Sequence, residues 1–223
     1  MPAKLFDFLT QLRDNNNRVW FAQHKEQFDS LRRQWLDETD RAIALGTAVW
    51  PELSRVKAND CVYRIYRDTR FSPDKTPYKT YFSALIAPGG RKDMRACFYV
   101  HAGLEDDDCG IFAGIWCPEA DVLRKLRRAI ADNDDEFLDI ARSLDANPAI
   151  DPRWLGNAVK TAPKGWPKDH PMIQYLRLKD IGRIAPLDRR AIEDGTWPEI
   201  AAARMADMMP LVNFINYSID EEI

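Results

Sequence analysis

Histidine is scarce in this sequence: the 223 residues hold three, His24, His101 and His170, far from one another along the chain. No H-E-x-x-H pair occurs, which excludes a zinc-protease helix. The four cysteines, Cys61, Cys97, Cys109 and Cys117, form no C-x-x-C pair. Cys109, Cys117 and His101 together fit no standard zinc spacing, so no metal and no cofactor are expected. Cys97 and His101 share a strand face, but four residues of strand span ~13 Å, beyond the reach of a Cys–His couple. Glycine is thin, and its ten copies build none of G-x-x-x-x-G-K-[ST], G-x-G-x-x-G or G-x-S-x-G. A P-loop, a dinucleotide fingerprint and a hydrolase elbow are thereby excluded. No Lys follows an acid by two positions, as one large nuclease class requires. No apolar run reaches the ~18 residues of a membrane helix. The opening Met-Pro-Ala-Lys-Leu-Phe-Asp lacks an apolar signal region, so a cytoplasmic protein with reduced thiols is expected.

What is present is ordinary globular material, 45% hydrophobic and 30% charged. That is enough apolar mass for one core, and the length fits a single domain over residues 1–223. The net charge of −3 hides a segregation. Residues 55–95 carry ten bases and four acids, or +6, and residues 104–151 carry five bases and thirteen acids, or −8. The negative total argues against nucleic acid as a partner.

Leu5, Phe8, Leu9 and Leu12 recur at helical spacing over residues 4–13. Asn15-Asn16-Asn17 breaks the chain and supplies caps. A long helix near 18–48 follows, its stripe Trp20, His24, Phe28, Leu31 and Trp35 reading as core. Four strands are expected next, at Cys61–Arg67, Thr80–Ala87, Met94–Gly103 and Gly110–Cys117. The turns between them are short enough for an antiparallel meander. The acidic run Glu105-Asp106-Asp107-Asp108 reads as a solvated hairpin loop. Pro118 opens one helix and Asn133 another. Residues 147–176 are irregular, and Tyr175–Ile184 can hold one more strand. Thr196-x-x-Glu199 is a capping-box pattern ahead of the terminal helix, which Pro210 should break or kink. The fold class is α+β: an antiparallel sheet of at least four strands packed with helices, long ones near both ends.

The unusual stretch runs from Arg64 to Lys79. Arg64, Arg67, Arg70, Lys75 and Lys79 lie within sixteen residues, interleaved with Tyr63, Tyr66, Phe71 and Tyr78. Pro73 and Pro77 stiffen the loop. Arg forks suit carboxylate and phosphate, and Lys adds a point charge. Tyr78 offers a hydroxyl, and Asp68 an orienting or basic carboxylate. The expected ligand site is therefore Arg64, Arg67, Asp68, Arg70, Lys75, Tyr78 and Lys79. A purely structural reading stands beside it, with Asp68 and Asp74 pairing the arginines to pin the loop. Alternation puts Arg64 and Arg67 on opposite faces, so Arg67 should group with Arg70 and Lys75.

Three stretches carry a resemblance: Asn16-Asn17-Arg18-x-Trp20-Phe21, the R-x-x-R-D-x-R-F…D-K-T-P-Y-K run, and Gly114-x-Trp116-x-Pro118. With them the chain resembles the bacterial family called domain of unknown function 2461, over nearly its whole length. The resemblance implies no reaction. From the residues, the leading expectation is a pocket lined by Arg and Lys for a phosphorylated or carboxylated ligand. A noncatalytic protein-interaction module and a nucleic-acid-associated protein are the alternatives.

Overall fold

A computed structural model describes residues 4–105 and 108–221. The N-terminal apolar stripe becomes helix α1 (Leu5–Asp14), which buries Leu5, Phe6, Phe8, Leu9 and Leu12. Asn15 ends it, and Asn17 starts α2 (Arg18–Gln23) by accepting from the backbone N–H groups of Val19 and Trp20. The expected long helix is interrupted at His24, the C-cap of α2 and the N-cap of α3 (Lys25–Gly46). Its apolar stripe continues across the break because Trp20 stacks on His24 at 3.9 Å.

The expected strand at Cys61–Arg67 does not form. Cys61 closes a one-turn helix, α4 (Ala58–Cys61), and beyond it Val62 and Tyr66 make isolated bridges to Ala84 and Tyr78. Aromatic and β-branched residues there fit the edge of a sheet without running along it. The four strands are β1 (Phe82–Ile86), β2 (Cys97–Ala102), β3 (Cys109–Ile115) and β4 (Ile181–Pro186). They pair antiparallel in the order β1-β2-β3-β4. The chain leaves the sheet after β3 for α5 (Ala120–Asp132), α6 (Asp134–Ala146) and one-turn α7 (Ile173–Leu176), then returns to add β4. Asp106 and Asp107, in the expected acidic loop between β2 and β3, lie outside the described residues. Its ends are joined where Gly103 N–H donates to the Asp108 carbonyl at 2.9 Å.

A short α8 (Arg189–Glu193) leads to α9 (Trp197–Asp220). The expected capping box is not made: Thr196 sits at the N-cap without a side-chain bond, and Glu199 instead meets Arg41 at 2.8 Å. Pro210 lies inside α9 without ending it. Helices α3 and α9 pack together against one face of the sheet. That face supplies Ala84, Ile86, Phe98, Val100, Ile111, Ala113 and Ile115, all nearly or fully buried. Where Gly114-x-Trp116-x-Pro118 leaves the sheet, the buried Asp180 carboxylate accepts from Cys117 N–H at 2.7 Å and Asn157 N–H at 3.1 Å.

Candidate functional site

The other face of the sheet is hollowed into a cup. Strand alternation sends every second side chain there. In the register, Leu85, Tyr99, Phe112 and Ile184 form one row across all four strands. A neighbouring row runs Ser83, His101, Gly110 and Pro186. Gly114 and Gly182 face each other in the next row beyond Phe112. Missing side chains give the floor its depth: a Cβ on Gly182 would overlap the Phe112 ring, which lies over that position. The cavity has a volume of about 590 Å³. That is within the usual ~300–1,000 Å³ for a small-molecule site. Met94 and Trp116 stand on its rim, 73% and 58% exposed.

Three polar side chains of the cup are bonded to one another. The Tyr99 hydroxyl lies 3.1 Å from His101 Nδ1, and His101 Nε2 lies 3.3 Å from Asp108 Oδ1. A carboxylate beside Nε2 favours the proton on that nitrogen, which leaves Nδ1 to accept from Tyr99 O–H. Ser83 also bonds the Tyr99 side chain. Burial pushes the Tyr99 hydroxyl up to about 12, so it works as a neutral hydrogen-bonding group. Burial also lowers the His101 pKa, with Asp108 opposing. Gly103 makes room for this contact: a Cβ there would overlap Asp108 Oδ2 and come 2.9 Å from His101 Nε2. The charged rim residues Arg91 and Asp93 are occupied with backbone. Arg91 donates to the Asn59 carbonyl at 2.7 Å and to that of Val62, and Asp93 accepts from Gly89 N–H at 2.9 Å and Arg95 N–H at 3.1 Å.

Asp108→Asn tests the electrostatics. It removes the charge that raises the His101 pKa and leaves burial and Lys79, both of which lower it. The ring should titrate at a lower pH than in the native protein, read from its NMR shifts. An unmoved midpoint would mean that Asp108 is not beside His101 in solution.

None of the seven residues expected to bind an anion lines this cup. The Arg64–Lys79 stretch is a closed loop whose stems bond through Arg67 N–H to the Pro77 carbonyl and Lys79 N–H to the Ile65 carbonyl, at 2.9 and 2.8 Å. Arg67 pairs with Asp74 and Thr76, and Arg70 with Asp68 at 2.6 Å. Arg67 and Arg70, expected to group with Lys75, each have a carboxylate of their own. Both carboxylates titrate at about 2: the Arg70 side chain holds Asp68 down, and Thr76 N–H with Arg67 holds Asp74 down. Lys75 Nζ donates to the Thr69 carbonyl at 2.8 Å. Tyr78 is buried and stacks on Phe21 at 4.0 Å. Asn16 latches this stem, its amide donating to the Tyr78 carbonyl at 3.0 Å and accepting from Tyr78 N–H at 3.1 Å.

Asn16 and Phe21 of one motif thus clamp Tyr78 of another. A family model described as "Conserved hypothetical protein (DUF2461)" matches residues 4–214. The chain belongs to the DUF2461 family. Comparison with curated proteins and with solved structures gives no match. The Arg64–Lys79 loop is therefore held to the helical layer at its Tyr78 stem, while Arg64 and Lys79 stand at its sheet end. Among the described residues no group of three His, Cys, Asp or Glu side chains is placed to hold a metal ion. No helix among them is long and apolar enough to cross a membrane.

Tyr99 and Asp108 were missed by sequence reasoning. Tyr99 was legible as a face-mate of His101, two residues away on one strand. The partnership with Asp108 was not, because it depends on how the chain turns between β2 and β3.

Proposed function

We propose that this protein binds a small ligand with a mainly apolar body in the cup on the open sheet face. One polar group of that ligand would be held at Tyr99, His101 and Asp108. The observation that carries the reading is the coincidence of an apolar cavity of about 590 Å³ with one cluster of mutually bonded polar side chains. Apolar surface supplies affinity in such sites, and a few convergent polar groups fix orientation. Tyr99 and His101 offer a donor and an acceptor to exchange with the ligand.

Phenylnaphthylamine, a neutral fluorophore that brightens in apolar surroundings, tests it. The wild-type chain should bind it at one saturable site. Leu85→Trp, which places an indole on the cup floor, should weaken binding by at least about tenfold, or 1.4 kcal/mol. Equal binding by both proteins would sink the cup as a ligand site.

A second reading has its own support. Phe71 is 93% exposed on the loop that the Arg67–Asp74 and Arg70–Asp68 pairs close. A fixed aromatic flanked by arginine is a fitting anchor for a protein partner. Partner capture of that kind would survive Leu85→Trp and be lost in Phe71→Ala.

A further inference from the structure

Within the Arg64–Lys79 loop the five cations divide sharply. Arg67 and Arg70 have carboxylates, and Lys75 has a backbone carbonyl. Lys79 and Arg64 have no ion-pair or hydrogen-bond acceptor for their side chains among the described residues. Lys79 is half-buried, yet its ammonium meets only two aromatic faces, with Nζ 5.1 Å from the Tyr63 ring centre and 5.5 Å from that of Tyr81. Ring faces attract a cation but accept none of its three N–H bonds in the ordinary way. Arg64 is close enough for its charge to add to burial in lowering the Lys79 pKa. Lys79 is partly desolvated with no carboxylate paired to it, and the Arg64 charge, which also reaches Asp68, adds to that cost; an arriving anion relieves the arrangement.

The position ties this pair to the cup. Tyr63 lines the cup. Tyr81 packs on the His101 ring at 4.5 Å between centres, and Lys79 is near enough to lower the His101 pKa. The ammonium therefore lies next to the Tyr99–His101 end of the cavity, just outside its lining residues. Its backbone is fixed on both sides, by the Lys79–Ile65 bond and the Asn16 latch on Tyr78.

We propose that Lys79, with Arg64 beside it, forms an anion subsite at the tyrosine end of the cup, so that the ligand is an apolar organic monoanion, a carboxylate in a biological setting. This rests on the cup being the ligand site. A monoanion fits better than a phosphate dianion, because the Asp108 carboxylate also projects its charge onto Tyr81 and Tyr99. The subsite keeps two of the seven residues expected from sequence and moves their ligand from the loop to the sheet face.

Two fluorophores with a common body separate the claims: neutral phenylnaphthylamine, and anilinonaphthalene sulfonate, which adds one negative charge. The full chain should prefer the sulfonate by about fivefold or more at low salt, and the preference should shrink as salt screens the pair. In Lys79→Met the affinity ratio should fall to near one. In Arg64→Gln, at an exposed position whose side chain has no hydrogen bond or ion pair among the described residues, it should fall part of the way, and this variant decides the matter if Lys79→Met does not fold. No preference in the wild type, or a ratio that survives both substitutions, overturns the subsite. Failure of the neutral dye to bind, or its indifference to Leu85→Trp, overturns the cup itself.

Discussion

Trp197→Ala is expected to lower stability by about 3–5 kcal/mol, the range for deleting a large buried aromatic side chain. Trp197 is fully buried where α3 meets α9, and its ring stacks on Trp35 at 4.9 Å. Its indole N–H donates to Glu38 Oε2 at 2.6 Å, so truncation also removes a partner from a buried carboxylate. Gln34, which donates to Glu38 Oε1 at 2.8 Å, would remain. Burial raises the Glu38 pKa above its ordinary 4.5, while the Gln34 and Trp197 bonds pull it down. A carboxyl whose folded pKa lies above its unfolded value contributes stability at pH below the unfolded value. That contribution is lost as pH rises through the raised folded value. Urea melts from about pH 4 to about pH 8 should therefore show stability falling across that window. The fall should be steeper in Trp197→Ala, which loses one bond that favours the charged form, and flatter in Glu38→Gln. Identical slopes in all three proteins would mean that Glu38 is not a buried titrating group.

Gly114→Ala should cost about 2–6 kcal/mol, summing ~1–3 for backbone strain and ~1–3 for overpacking. Gly114 has φ +140°, and a Cβ there would overlap the Ile181 carbonyl oxygen and come 2.6 Å from the Gly182 Cα. Those are backbone atoms of the paired strand, so no rotamer change relieves the clash. Loosening β3 from β4 also disturbs Ile184 in the cup floor, and phenylnaphthylamine affinity should fall along with stability. Gly165 is the control. Its φ is +93°, but a Cβ there would meet nothing within 4 Å, so alanine adds strain alone. Equal losses at the two positions in urea melts would contradict the clash between strands.

The strands that became β1, β2 and β3 were legible because β2 alternates, all three are rich in apolar residues between turn signals, and each has a ladder partner on both sides or a covered face. Cys61–Arg67 has the same composition, but it meets β1 through the Val62–Ala84 bridge and the Tyr63 N–H bond to the Ser83 carbonyl, while Tyr66 bridges Tyr78 outside the sheet. Composition records what a pleated surface tolerates, and nothing in it says how many ladder bonds the neighbour supplies. The density of cations in the loop is legible in the sequence. Which cations would find carboxylates was not legible, because Arg67–Asp74 and Arg70–Asp68 depend on the path of the chain between the prolines. The cup had a signal that is easy to pass over. All of β3 is buried, on both faces, in a sheet with helices on one side. Such a strand implies either a second layer or a cavity lined by its own apolar side chains.

The glycines on the open face differ in what surrounds them. At Gly182 an added methyl would run into the Phe112 ring and the Ala113 carbonyl, and at Gly114 into backbone. At Gly110 the nearest atom is the Ile184 Cδ1 at 2.8 Å, the movable tip of a side chain. Position 110 therefore behaves as a dial on the depth of the cavity: alanine there can shorten the longest ligand admitted beside His101 while the strands keep their register. A lineage of such proteins could change its preferred molecule through that position alone, with the fold and the Tyr99–His101–Asp108 cluster carried along unchanged.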